Sequence, residues 1–149
     1  MKELQQFEVV IEKARDDERE ALRVYVEGKK ILLQEQKKLD ELSGYKEEYH
    51  QGYRDQGRSG VNIAQINNYL GFLSKIDQTV QHQLQVIEQK RVYVEQLKSH
   101  WIAQRSYLLA IEKVVDKRRQ QILVREQRRE QKLMDEFAQR RIEIEETTD

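Results

Sequence analysis

The chain has 149 residues, 38% of them hydrophobic and 36% charged, with 27 positive side chains against 27 negative ones. That is enough chain for one domain but poor material for a compact globular core, and the charge balance argues against general attraction to nucleic acid or anionic lipid. With no cysteine there are no disulfides or thiolate chemistry, which fits a reducing compartment such as the cytosol, and with no proline nothing interrupts long helices.

The N-terminal "MKELQQFEVVIEK" lacks the continuous apolar run of a signal peptide, and no stretch approaches the roughly 18 apolar residues of a membrane span. Direct membrane insertion is therefore not expected. A first helix is predicted over about 2–56, on a stripe at positions 4, 7, 11, 14, 18, 21, 25, 28, 32, 35, 39, 42, 46, 49 and 53. Eleven of these fifteen positions are apolar or aromatic, and the exceptions are Glu18, Gly28, Glu35 and Lys46.

The segment "QGYRDQGRSGVN" holds three of the six glycines and predicts a bend at about 57–61. Asn62 followed by Gln65 has the form of a capping box, so the second helix is expected from about 62 to 142. Every seventh residue from Ile66 through Trp101 to Ile122 is apolar, nine in nine. At this composition the chance of such a run is on the order of one in a thousand, so it is a heptad seam. Its companion row is weaker: Tyr69, Ile76, Leu97 and Ile111 fill it, Gln83, Lys90, Gln104 and Arg118 do not, and Leu70 and Leu84 sit one residue late.

Two matched stripes around one bend predict an all-α fold, a single coiled-coil domain in which two long helices form an antiparallel hairpin, monomeric on its own. Trp101 is expected to face Ala14, Glu18 and Ala21, where small side chains leave room, and Val94 to face Gly28. If Leu4 pairs near residue 115, the heptad loses its partner where the stripe ends, because the next two positions are Arg129 and Glu136. The C-terminal helix then extends beyond its partner by some 20 residues, about 30 Å, before an acidic tail at 143–149.

No catalytic chemistry is legible. His50, His82 and His100 lie far apart without metal-ligand spacing, no phosphate-binding glycine loop or nucleophile elbow occurs, and two helices enclose no cleft. Neither an enzyme nor a cofactor or metal site is expected. The unpaired segment does carry a surface. Residues 117–132 have a local excess of five positive charges, including Arg118, Arg119, Arg125, Arg128 and Arg129, followed by an apolar patch of Leu133, Met134 and Phe137. A cationic collar beside an apolar end suits a complementary, partly acidic protein socket. The acidic tail and the carboxylate-rich segment 3–20 argue against nucleic acid. Near the bend, Leu42, Tyr45 and Tyr49 share a face of the first helix while Phe72 and Ile76 align on the second, and the off-seam Tyr45 and Phe72 are candidate interface anchors. The rival to a partner-binding protein is a purely structural coiled-coil scaffold that dimerises through its stripes.

The C-terminal "QKLMDEFAQRR", together with "YKEEY" at 45–49 and "INNYLGFLSKI" at 66–76, resembles the FliJ proteins over nearly the whole chain. The resemblance implies a component of the bacterial flagellar type III export apparatus, serving flagellum assembly and motility. It would be cytoplasmic, peripherally associated with the inner-membrane export apparatus, and similar to the central stalk of rotary ATP synthases. It implies that the end carrying Arg118, Arg119, Arg125, Arg128, Arg129, Leu133, Met134 and Phe137 binds and activates a hexameric export ATPase. It further implies that Leu42, Tyr45, Tyr49, Phe72 and Ile76 contact the membrane export gate, and that the protein helps recycle export chaperones. Ile76 stands where the family has leucine, and Thr79 and His82 depart from the alanine and histidine that members place beyond it. A virulence-type secretion stalk would obey the same physics.

Overall fold

The computed structural model describes residues 2–148. It consists of two α-helices, α1 at Lys2–Gly57 and α2 at Ile63–Thr148, packed against each other as a helical hairpin. Among the described residues no helix is long and apolar enough to cross a membrane.

The turn between the helices follows the local chemistry. Ser59 returns both its amide and its hydroxyl to the Gln56 carbonyl, and Gly60 takes a φ of 93°, a left-handed conformation that a side chain would disfavour. Asn62 then caps α2 reciprocally: the Gln65 amide donates to Asn62 Oδ1 at 2.8 Å and the Asn62 amide donates to Gln65 Oε1 at 3.1 Å. The glycine at 52 leaves α1 uninterrupted.

All fifteen positions of the first stripe are buried or half-buried, the four non-hydrophobic ones included. On α2 the heptad row is shielded from Leu73 to Ile122, with Ile66 at its exposed edge, and the whole companion row from Tyr69 to Arg118 is shielded as well. The polar residues of that row were not displaced by the leucines beside them: Gln83 is buried while Leu70 and Leu84 face solvent.

The chain divides into two compact units, Met1–Glu18 with Gln104–Asp149, and Arg19–Ala103. In Arg19–Ala103 the departures from the apolar pattern meet one another. Gln83 Nε2 donates to both the backbone carbonyl and the carboxylate of Glu35, at 2.8 and 2.7 Å, and the Lys46 ammonium donates to Asp77 at 2.7 Å. Gly28 is buried because a Cβ there would lie 2.8 Å from Leu97 Cδ1 and 3.4 Å from Val94 Cγ2, so Val94 lies beside Gly28. Trp101 stacks on Tyr25, centroids 5.8 Å apart, one turn nearer the bend than the Ala14–Ala21 stretch expected from register. Helical side chains lean toward the N-terminus of their own helix. In an antiparallel pair the two long rings therefore meet further along than their backbones do.

In Met1–Glu18 with Gln104–Asp149, Ile11, Ala14 and Val115 are buried, and ion pairs flank them: Arg15 with Glu112 at 3.5 Å, Arg118 with Glu3 at 2.8 Å, Arg119 with Glu8 at 3.9 Å. Every residue from 123 to 148 is exposed. This partnerless run is 26 residues of helix, roughly 40 Å at 1.5 Å per residue, longer than register alone suggested. It continues as helix through residues 143–148, where the Thr147 and Thr148 hydroxyls donate to the carbonyls of Glu143, Ile144 and Glu145.

Candidate protein-binding surfaces

The first surface is an aromatic groove within Arg19–Ala103. Tyr69 comes up from α2 between Tyr49 and Tyr53 of α1 and stacks on both, at 5.3 and 3.7 Å between centroids, while Phe72 tilts against Tyr49 at 4.0 Å. The Tyr69 hydroxyl hydrogen-bonds His50 Nδ1, which also meets the tyrosine ring edge-on. Stacked rings of this kind hold each other in fixed orientation beyond the effect of buried area. They leave a cleft of about 530 Å³ lined by Tyr45, Glu48, Gly52, Asn68 and Phe72 as well as the stack. Its outer wall is Tyr45, 63% exposed, and no side chain occupies the space at Gly52, where an added Cβ would touch nothing within 4 Å.

Of the five residues expected near the bend, Tyr45, Tyr49 and Phe72 line this cleft together. Leu42 is half-buried in the α1 stripe, and Ile76, 8% exposed, is buried between the helices; neither lines the cleft. Gly52, Tyr53 and Tyr69 also line the cleft and His50 contacts Tyr69, and none of the four is among the residues expected from the sequence. In the sequence Tyr53 and Tyr69 read only as stripe residues, and the pairing of the helices shows that the stripe itself becomes an aromatic wall here.

The second surface lies in the other unit, on α2 from about residue 117 onward. Its residues divide in two. Arg118 and Arg119 are half-buried and engaged, Arg118 with Glu3 and Gln121, Arg119 with Glu8 and Asp116. They close the end of the packed seam. Arg125, Arg128 and Arg129 make no ion pair with any described residue, and Arg125 and Arg128 border a shallow depression with Lys117, Gln121 and Val124. Leu133, Met134 and Phe137 stand in solvent, Phe137 at 73% exposure, and Ile142 and Ile144, unremarked in the sequence, continue the apolar exposure. Among the described residues no group of three or more His, Cys, Asp or Glu side chains could hold a metal ion.

The model of the family described as flagellar FliJ protein matches residues 1–145. The flagellar FliJ protein of Salmonella typhi is 30% identical over 138 residues, which is 92% of this chain and 91% of the relative. No solved structure matches the chain.

Proposed function

The chain belongs to the flagellar FliJ protein family and is a component associated with flagellar export, and from that premise we propose that it is a coupling stalk rather than an enzyme. Its bare C-terminal helix engages a hexameric export ATPase and promotes ATP hydrolysis. Its aromatic groove contacts the membrane export gate, which holds the protein at the inner membrane from the cytoplasmic side, and it helps to recycle export chaperones.

The observation that carries this reading is the helix of residues 123–148, exposed throughout. Helical stability in proteins comes mostly from packing an amphipathic face, and this run has no such packing among the described residues. Three unpaired arginines followed by Leu133, Met134 and Phe137 suit a socket with acidic walls and an apolar floor. Arg118 and Arg119 serve the ring indirectly, by fixing the direction in which α2 leaves the packed seam.

ATP hydrolysis by the cognate hexamer, measured with the full chain and with residues 1–122, tests the assignment. Stimulation is expected only from the full chain. Equal stimulation by both would remove the role from this segment. For the gate, Tyr45→Ala with Phe72→Ala is expected to abolish binding and swimming, and unchanged behaviour in both assays would end that assignment.

A further inference from the structure

The cleft at the bend is one end of a longer feature of Arg19–Ala103. Tyr45 and Gly52 of α1 and Phe72 of α2 line the same opening, so their positions in the heptad share one flank of the helix pair. Repetition every seven residues carries that flank along both helices. Two heptads before Tyr45 lies Ile31, and three heptads after Phe72 lies Tyr93, both exposed, with half-buried Val24 and Val86 continuing the two rows. Lys38 and Thr79 interrupt the two rows, so the flank is a largely apolar strip between two helices with one polar break on each.

A second, independent pattern borders it. Glu20, Glu27, Glu41, Glu48 and Asp55 recur at seven-residue spacing, completed by Gln34; Glu27, Gln34, Glu48 and Asp55 each lie three residues beyond a strip residue, and so one turn from it on α1. Glu48 itself lines the cleft, which fixes the row beside the strip. Glu20 is held by Arg23 at 2.6 Å, but Glu27, Glu41, Glu48 and Asp55 make no hydrogen bond or ion pair with a described residue. The matching row of α2, from Asn68 through Lys75, His82, Gln89 and Gln96, holds no carboxylate to oppose it. Lys38, beside this row, and Lys46 and Arg91 bond other carboxylates, so this acidic edge is a local exception.

We propose that this flank docks a third helix, an amphipathic one with aliphatic anchors for the strip and a lysine- or arginine-bearing edge for the acidic row, supplied by the export gate. The proposal rests on reading the aromatic cleft as the gate contact, and it adds the partner's chemistry and the length of the footprint. A helix lying between two others takes its apolar residues at three- and four-residue spacing, which the groove between α1 and α2 accepts. The basic edge sets orientation and rejects acidic helices.

The test is binding of the full chain to detergent-solubilised export gate protein, by fluorescence anisotropy at several salt concentrations. Helicity is followed by circular dichroism and mass by sedimentation. Glu27→Lys with Glu41→Lys is expected to weaken binding at least tenfold and to flatten its salt dependence. Ile31→Asn with Tyr93→Asn is expected to weaken it at least tenfold with the helix content unchanged, and Gly52→Leu to block the cleft without clash. If Tyr45→Ala with Phe72→Ala abolishes binding while the Glu27/Glu41 and Ile31/Tyr93 pairs leave it intact, the extended strip is refuted and the gate assignment stands. If the Tyr45/Phe72 pair also binds normally, the gate assignment fails and takes this proposal with it. A wild-type dimer that Ile31→Asn with Tyr93→Asn converts to monomer would make a second copy the occupant and overturn the proposal.

Discussion

Gln83 sits in the seam with a leucine next to it that could have filled the position better. Its amide hydrogens go to the backbone and side chain of Glu35 across the helix pair, so two polar residues that each weaken an apolar row satisfy one another. Polar pairs of this kind stabilise little and select register, because any slip leaves both groups unpaired. Gln83→Leu alone is expected to lower the melting temperature, since it leaves the half-buried Glu35 carboxylate with Lys38 alone; adding Glu35→Leu should recover the loss. Calorimetry of both variants checks this. The hydrogen bond from Gln83, and then that from Lys38, also hold the Glu35 carboxyl below its ordinary value of 4.5. Its contribution to stability is complete above that pH and is lost as the pH falls through the lower folded value. The drop in melting temperature between pH 5 and pH 3 should accordingly be smaller in Glu35→Gln. Gly28 is the steric counterpart. Gly28→Ala asks only that the end of Leu97 swing aside, and the gain in helix propensity opposes that cost, whereas Gly28→Leu overfills the contact and should cost about 1–3 kcal/mol in urea denaturation.

At the scale of elements, α2 is one continuous helix with two kinds of surface. Up to Ile122 its rows are shielded by α1; beyond that point no residue is. The melting temperature of residues 1–122 should therefore lie within a few degrees of the full chain's, although the truncation removes Arg125, Arg128, Arg129, Leu133, Met134 and Phe137, all assigned to the ATPase. A large loss of stability would mean that residues 123–148 pack against something in the isolated protein. Arg118 and Arg119 make the opposite prediction. Because they bond Glu3 and Glu8, Arg118→Ala with Arg119→Ala should raise amide exchange in the first turns of α1. The same change at Arg125 and Arg128 should leave exchange there untouched.

For the molecule as a whole, the apolar rows of each helix are consumed by the other helix of the same chain. Among the described residues both stripes are shielded over most of their length, so light scattering should return a mass near 18.0 kDa and melting should not depend on protein concentration. Spin labels on Lys13 and Leu109, exposed neighbours of the seam in one unit, should lie close together within a single molecule. A doubled mass with long intramolecular distances would restore the scaffold reading. What is left outside the seam, an aromatic cleft and a bare helix, is then free for partners.

The pattern of residues determined on its own that the protein is helical, where the chain turns, and which rows face inward, because helical periodicity, glycine and the Asn62 cap act through near neighbours. It also marked every place where the apolar rows fail. Only the tertiary structure decided what those failures are for: Glu35 meets Gln83, Lys46 meets Asp77, Gly28 admits Leu97 and Arg118 reaches Glu3. These partners lie tens of residues apart, and their meeting depends on side-chain lean and on the size of the turn, neither of which a one-residue periodicity records. The same dependence hid the aromatic cleft. Tyr53 and Tyr69 read from the sequence as ordinary seam residues; in the helix pair they stack with Tyr49 and leave a cleft beside the cluster.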